Sequence, residues 1–166
     1  EKNVGYMHIN CKKSCKTCNV SCGESAPALD PYFLKNTIER SKNYTIKIHS
    51  EKPLLIEFLN FLNDFESDHI ISLCENKFSR SLAGDGVSSV RTSEQCWCQD
   101  KKCTSDKVVK SIEERVSNLV NFSYLNSEYM QILKYEKEQF YKLHHDQNSP
   151  HSSPQGPRVF TFFMYL

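Results

Sequence analysis

Net charge is what this chain of 166 residues has least of: 21 Lys and Arg stand against 20 Asp and Glu, leaving +1. Such a balance offers no basic stripe for a phosphate backbone and no acidic tail, so nucleic acid is not expected as a partner. Long hydrophobic runs are missing too. The longest, Pro53 to Leu62, is broken by Glu57 and Asn60 and is too short to span a bilayer, so any membrane anchor is expected outside these residues. There is no initiator Met and no leader segment, and the chain stops inside an apolar stretch at Leu166, so both ends read as cut. Paired C-x2-C knuckles, which a zinc fold uses, are also lacking, because only Cys15 and Cys18 make one.

Aromatic residues and cysteines, by contrast, are plentiful. Ten Phe and eight Tyr can fill a core, and the length suits one modest domain with an appendage. Eight cysteines are many for a reducing compartment. Three Asn-x-Ser/Thr sequons, at Asn19, Asn43 and Asn121, point the same way, toward the secretory pathway.

Three regions follow from the order of residues. Residues 1–22 carry Tyr6-Met7 and then Cys11, Cys15 and Cys18 in a C-x3-C-x2-C spacing. This resembles the second half of a ShKT disulfide module; the resemblance implies that its partner cysteines lie upstream, and Cys22 is one alternative partner. Residues 23–51 read as a linker punctuated by Gly23, Pro27 and Pro31, with a short helix at Tyr32 to Arg40. Residues 52–166 form the main domain. Leu54 to Leu59 suits a strand. A helix capped by Asp64 follows, with Ile70, Leu73, Cys74 and Phe78 as its core-facing stripe; Cys74 is expected there as a small buried hydrophobe. Cys98 and Cys103 enclose a short loop and could bridge, whereas Cys96 could pair elsewhere or stay free. A second helix, capped by Thr104 or Ser105, presents Val108, Val109, Ile112, Val116 and Leu119 on one face.

The chemistry gathers in Tyr135 to Asp146. Tyr129, Gln131, Leu133 and Tyr135 alternate as on a strand spanning Glu128 to Tyr135. In extended backbone His144 and Asp146 look the same way while His145 looks away. One imidazole and one carboxylate on one face are two of the three ligands of a 2-His-1-carboxylate iron site. An H-x-D alone is also an ordinary surface pattern, and His151, in the Ser- and Pro-rich loop that follows, reads as a solvated loop residue.

The surroundings of the H-x-D carry more. Arg91-Thr92-Ser93 is followed by Trp97-Cys98 and Cys103, then by Glu128 to Gln131 with Tyr135, then by Tyr141-Lys142-Leu143-His144-His145-Asp146, and finally by Arg158 with Thr161, Tyr165 and Leu166. In order and spacing, residues 52–166 resemble the prolyl 4-hydroxylases, which are Fe(II)- and 2-oxoglutarate-dependent dioxygenases. The resemblance implies an α+β fold with a double-stranded β-helix, of jelly-roll or cupin type, flanked by helices and incomplete at the C-terminus. It implies peptidyl-proline 4-hydroxylation with Fe(II), 2-oxoglutarate, O2 and L-ascorbate, in the endoplasmic reticulum lumen, on a proline-containing peptide and with a possible partner subunit. His144 and Asp146 become metal ligands, Tyr135 and Thr161 contacts to 2-oxoglutarate, Arg158 and Tyr141 catalytic residues, and Arg91 and Ser93 substrate contacts. The second iron-binding histidine and the lysine for 2-oxoglutarate are expected beyond Leu166, so the 166-residue chain alone is expected to be inactive and poorly soluble. A truncated inactive relative, or a cysteine-rich interaction protein, is the alternative. One departure stands out: the family's turn glycine is Glu138 here, and a glutamate meets a penalty at positive φ, so this turn is expected to be strained or of another type.

Overall fold

The computed structural model describes residues 32–83, 86–144, 146, 158 and 160–166. The C-x3-C-x2-C stretch with Cys22, the Asn19 sequon and His151 lie outside the described residues. The chain divides into two compact units, Glu1–Asn63 with Ser111–Ser127, and Asp64–Lys110 with Glu128–Leu166. The fold is mixed α+β, with one small antiparallel sheet in each unit.

In the first unit, α1 (Phe33–Arg40) forms where the sequence expects a short helix. Its end is tied down by side chains: the Ser41 hydroxyl donates to the Thr37 carbonyl at 2.5 Å, and both residues are buried. Strand β1 (Thr45–Glu51) and strand β2 (Leu54–Leu59) make an antiparallel hairpin across a cis Lys52–Pro53 bond. The sequence reading leaves Thr45–Glu51 in the linker. Yet Thr45, Ile46 and Ile48 are β-branched, and a partner strand lies one tight turn away, which is enough to form a ladder. The Tyr44 ring lies 5.5 Å from Phe61 and 6.1 Å, edge-on, from Phe58. Phe61 is buried, and the Arg115 guanidinium sits over its face at 4.9 Å while donating to its carbonyl at 3.1 Å. Two exposed sequons, Asn43 and Asn121, belong to this unit.

In the second unit, α2 (Asp64–Leu73) begins at Asp64 and buries Ile70 and Leu73; it ends before the rest of the expected stripe, so Cys74 is buried just past its end and Phe78 lies beyond it, half-buried. Cys74 is not a free thiol, however. It is bonded to Cys96, because the end of α2 faces strand β4 (Glu94–Trp97). Cys98 and Cys103 close a second, local disulfide. Both are compatible with the secretory pathway, and among the described residues no helix is long and apolar enough to cross a membrane. Between them lies α3 (Lys101–Thr104), capped by the Asp100 carboxylate, which accepts from the Cys103 amide at 3.0 Å.

This short helix uses Thr104 and Ser105, whose hydroxyls donate back to Asp100 and Lys101 carbonyls. Neither can therefore cap α4 (Lys107–Val120), and the cap falls to Asp106, which accepts from the amides of Val108 at 2.8 Å and Val109 at 3.1 Å. The expected apolar face of α4 is present, with Val109, Ile112 and Leu119 buried.

Strand β3 (Ser79–Arg80), β4 and β5 (Gln131–Lys134) form a three-stranded antiparallel sheet. The strand expected over Glu128 to Tyr135 is thus shorter, and its buried residue is Ile132, opposite Cys96, rather than the Tyr129, Gln131, Leu133 and Tyr135 face. Burial of Ile132 beside a disulfide sulfur removes apolar surface from water, whereas the tyrosines keep their hydroxyls wet. The last stretch, 160–166, is expected to be a strand buried on both faces. It forms no ladder among the described residues; Phe163 and Tyr165 are exposed while Phe160, Phe162 and Met164 are half-buried. The alternation survives, but among the described residues no strand lies alongside to cover the outer row.

Candidate metal centre

β5 does not simply end at Lys134. After the Glu136–Gln139 turn the chain returns to the same neighbour, and Arg91 and Tyr141 form an antiparallel bridge. The Thr92 amide donates to the Phe140 carbonyl and the Lys142 amide to the Val90 carbonyl, both at 2.8 Å. The Thr92 hydroxyl accepts from the Phe140 amide at 2.7 Å. On the other side the Ser81 amide donates to the Ser93 carbonyl at 2.9 Å, and the Ser93 and Ser81 hydroxyls are bonded at 2.9 Å. The Arg91-Thr92-Ser93 segment is therefore an inner strand-like element, laced on both edges, with the Tyr141 segment along one of them.

That pairing delivers His144 and Asp146 to one place. The His144 Nδ1–H donates to the Lys142 carbonyl at 2.8 Å, which leaves Nε2 with its lone pair. Nε2 lies 3.4 Å from an Asp146 oxygen, and both side chains are partly open to solvent. Two ligands each about 2.1 Å from one ion lie within about 4.2 Å of each other. The pair therefore fits two positions of one metal ion. The other Asp146 oxygen accepts from the Thr161 hydroxyl at 2.5 Å, which fixes the carboxylate and leaves the His144-facing oxygen available. Among the described residues no group of three His, Cys, Asp or Glu side chains gathers to complete a ligand set.

The aromatic side of the site is stacked. The Tyr141 and His144 rings lie face to face, 3.6 Å between centroids and 20° apart in plane. On the Tyr141 ring sits the Arg91 guanidinium, 4.5 Å from its centre. Such a contact, when desolvated, is worth about 2 kcal/mol. Arg91 is 8% exposed and donates from Nη1 to the Leu82 carbonyl at 3.0 Å, while its buried Nε has no acceptor.

Arg158 holds Glu128 through two parallel bonds, at 2.5 Å and 2.8 Å. The Glu128 contact raises the Arg158 pKa against the opposing effect of burial, and the charges of Glu128, Asp146 and Tyr141 add to the rise. Glu128 stands at the head of the Glu-x-x-Gln segment but carries no assigned role in the sequence reading; the carboxylate that a later arginine needs was its only signal.

Of the residues singled out from the sequence, His144, Asp146, Tyr141, Thr161 and Arg91 come together, and the charge of Arg158 lies close enough to act on Asp146 and Tyr141. Tyr135, at the end of β5, is 43% exposed and is joined to them by no hydrogen bond, ion pair or ring contact among the described residues. Ser93 has no exposed surface. The turn between Tyr135 and Tyr141, expected to be strained or of another type, takes the first form: the Gln139 amide donates to the Glu136 carbonyl at 3.0 Å, and Glu138 has φ 70°. A non-glycine residue there costs about 1–2 kcal/mol.

No family model matches this chain. Among curated proteins it is similar to prolyl 4-hydroxylase 2 of Arabidopsis thaliana, with 33% identity over 129 residues, 73% of this chain and 42% of that protein. Probable prolyl 4-hydroxylase 4 of the same plant is 32% identical over the same extent. Prolyl 4-hydroxylase subunit alpha-3 of Bos taurus is 29% identical over 147 residues, 82% of this chain and 25% of that subunit. The chain thus spans less than half the length of each of these relatives.

Proposed function

Because this chain is related to the prolyl 4-hydroxylase family, we propose that it carries part of the active site of an Fe(II)- and 2-oxoglutarate-dependent peptidyl-proline 4-hydroxylase, built on a double-stranded β-helix. The observation that carries this reading is the convergence of His144 Nε2 and an Asp146 oxygen, each with its other polar atom already engaged. Iron held there with 2-oxoglutarate and O2 would supply the oxidising chemistry, and ascorbate would serve as the reductant.

The protein groups hold and orient. His144 presents Nε2 because its Nδ1–H is committed to Lys142, and Asp146 presents one oxygen because Thr161 binds the other. Tyr135 would donate to 2-oxoglutarate, and Thr161 would be a second contact to it. Arg158, steadied by Glu128, and Tyr141 face the reacting substrate. Arg91 and Ser93 are too buried to grip a peptide directly, so they contribute by forming the wall against which it lies. A protein acting on peptidyl proline and closed by disulfides would work in the endoplasmic reticulum lumen. The bovine relative is by its name a subunit, which is the ground for proposing a partner subunit here.

Binding of Co(II), a spectroscopic substitute for Fe(II), tests the site directly. The chain is expected to bind Co(II) at a site lost in both His144→Asn and Asp146→Asn. Binding unchanged in both variants would overturn the assignment. Hydroxyproline formation on a proline-rich peptide, dependent on 2-oxoglutarate and measured by mass spectrometry with the protein carrying its remaining sequence, tests the reaction. A protein that binds the metal through His144 and Asp146 but never hydroxylates the peptide or consumes 2-oxoglutarate would refute the proposed activity.

A further inference from the structure

We infer that Arg91 is a positioning residue for the metal-ligand histidine, acting through the Tyr141 ring. The inference rests on the metal-site reading for its functional meaning, but the device itself stands on geometry. Three planar groups are stacked in series: guanidinium on phenol at 4.5 Å, phenol on imidazole at 3.6 Å. The first is buried and the last is partly open to solvent, so order is passed outward from the protein interior to the site.

Arg91 is fitted to anchor such a stack. Its backbone is paired with that of Tyr141, so the two side chains leave neighbouring points of one ladder. Its guanidinium cannot swing away, since Nη1 is held by the Leu82 carbonyl. Nor does a carboxylate compensate its charge among the described residues, and Nε is left without an acceptor. Leaving Nε unpaired is costly, and among the described residues the cation is met by the Leu82 carbonyl and by the electron-rich Tyr141 face.

The other end of the stack is where order is needed. A histidine on an exposed segment can rotate about both side-chain bonds. Here the Lys142 carbonyl fixes which nitrogen carries the proton, but one hydrogen bond leaves the ring free to tilt. Stacking on Tyr141 removes the tilt and aims Nε2 at Asp146. Groups behind a metal ligand that set its orientation typically change metal affinity about 10–100-fold when removed.

The test compares Arg91→Met, Arg91→Lys, Tyr141→Leu and Tyr141→Phe in the protein carrying its remaining sequence. The primary readout needs no metal: the proton shifts of the His144 ring, assigned through His144→Asn. A ring stacked face to face on an aromatic gives upfield-shifted protons. In the wild type, and in Tyr141→Phe, the upfield position is expected. In Arg91→Met and Tyr141→Leu it is expected to be lost, and Arg91→Lys, which restores a cation above the ring, is expected to recover it in part. Co(II) affinity should follow, falling about 10-fold or more in the first two variants and little in Tyr141→Phe.

If Arg91→Met melts lower yet keeps the wild-type His144 shifts, Arg91 only stabilises the fold and the inference is wrong. Should Arg91→Met fail to fold, the Tyr141→Leu and Tyr141→Phe pair decides: equal His144 shifts in the two overturn the stack. If the shifts respond as expected but Co(II) binding ignores both His144 and Asp146, the stack stands and the metal-site reading fails.

Discussion

The two units of the chain hide their apolar residues by different means. In Glu1–Asn63 with Ser111–Ser127, the hairpin leaves Ile48, Leu54, Leu55 and Leu59 at least 36% exposed, and among the described residues the buried apolar side chains are Phe61, Ile112 and Leu119. In Asp64–Lys110 with Glu128–Leu166, four of the buried residues are cysteines, joined as Cys74–Cys96 and Cys98–Cys103. The first unit depends on a few side chains in contact; the second is cross-linked beside a polar network that runs through Ser81, Ser93, Thr92 and Phe140 to the candidate site. Among the described residues, covalent and hydrogen-bonded order sits beside the candidate metal site, and the exposed hairpin sits in the other unit. This is the pattern expected if aiming, rather than stability alone, is what the second unit is for.

The largest effect should come from the first unit's dependence on contacts. Ile112→Ala is expected to cost about 2–5 kcal/mol, measured by denaturant unfolding. Close behind, replacing Cys74 and Cys96 together by serine should cost the second unit about 3 kcal/mol, because the bridge closes a loop of intermediate length. Amide exchange separates the units: protection should fall at Cys96 and Ile132 and stay unchanged along β1 and β2. Equal losses in both would dissolve the contrast.

Asp106 gives a smaller test. Burial pushes its carboxyl up, but bonds from His69 and from the Val109 and Val108 amides outweigh that and hold its pKa below 3.8. A carboxyl whose folded pKa is depressed stabilises the fold above its unfolded value, and the contribution is lost as pH falls through the folded one. Asp106→Ala is therefore expected to cost about 1 kcal/mol near neutrality, and the difference from wild type should vanish below the ordinary carboxylate range. A gap that persists into strong acid would mean that the loss is packing, not the cap.

The smallest change runs the other way. Glu138→Gly should stabilise the chain by about 0.5–1 kcal/mol, because glycine takes φ 70° without strain while giving back part of the gain as entropy. A loss on substitution would show that the Glu138 side chain does something the turn geometry does not reveal.

Much of this was legible from residues alone. Local patterns sufficed for α1, the β2 strand, the first part of the α2 stripe and the buried face of α4, since a helix or strand announces its apolar period in a short window. The trouble at Glu138 was legible too, because positive φ is a property of one residue. What escaped depended on competition or on distance. Thr104 and Ser105 looked like caps until α3 claimed their hydroxyls, and Cys74 looked like a lone hydrophobe until β4 brought Cys96 against it. Thr45–Glu51 looked like linker because its ladder lies in the next segment rather than in itself.

The sequence by itself determined which residue types were available for the site and at what intervals: an imidazole, a carboxylate two positions on, a tyrosine before them and an arginine far upstream. Only the tertiary structure decided that Arg91 lies under Tyr141, that Tyr141 lies on His144, and that Lys142 and Thr161 engage the second polar atoms of His144 and Asp146. The reason is physical. Spacing along a chain sets direction within one element, but a stack, a hydrogen bond to a distant hydroxyl or a disulfide is set by which elements are brought alongside, and that choice belongs to the fold as a whole.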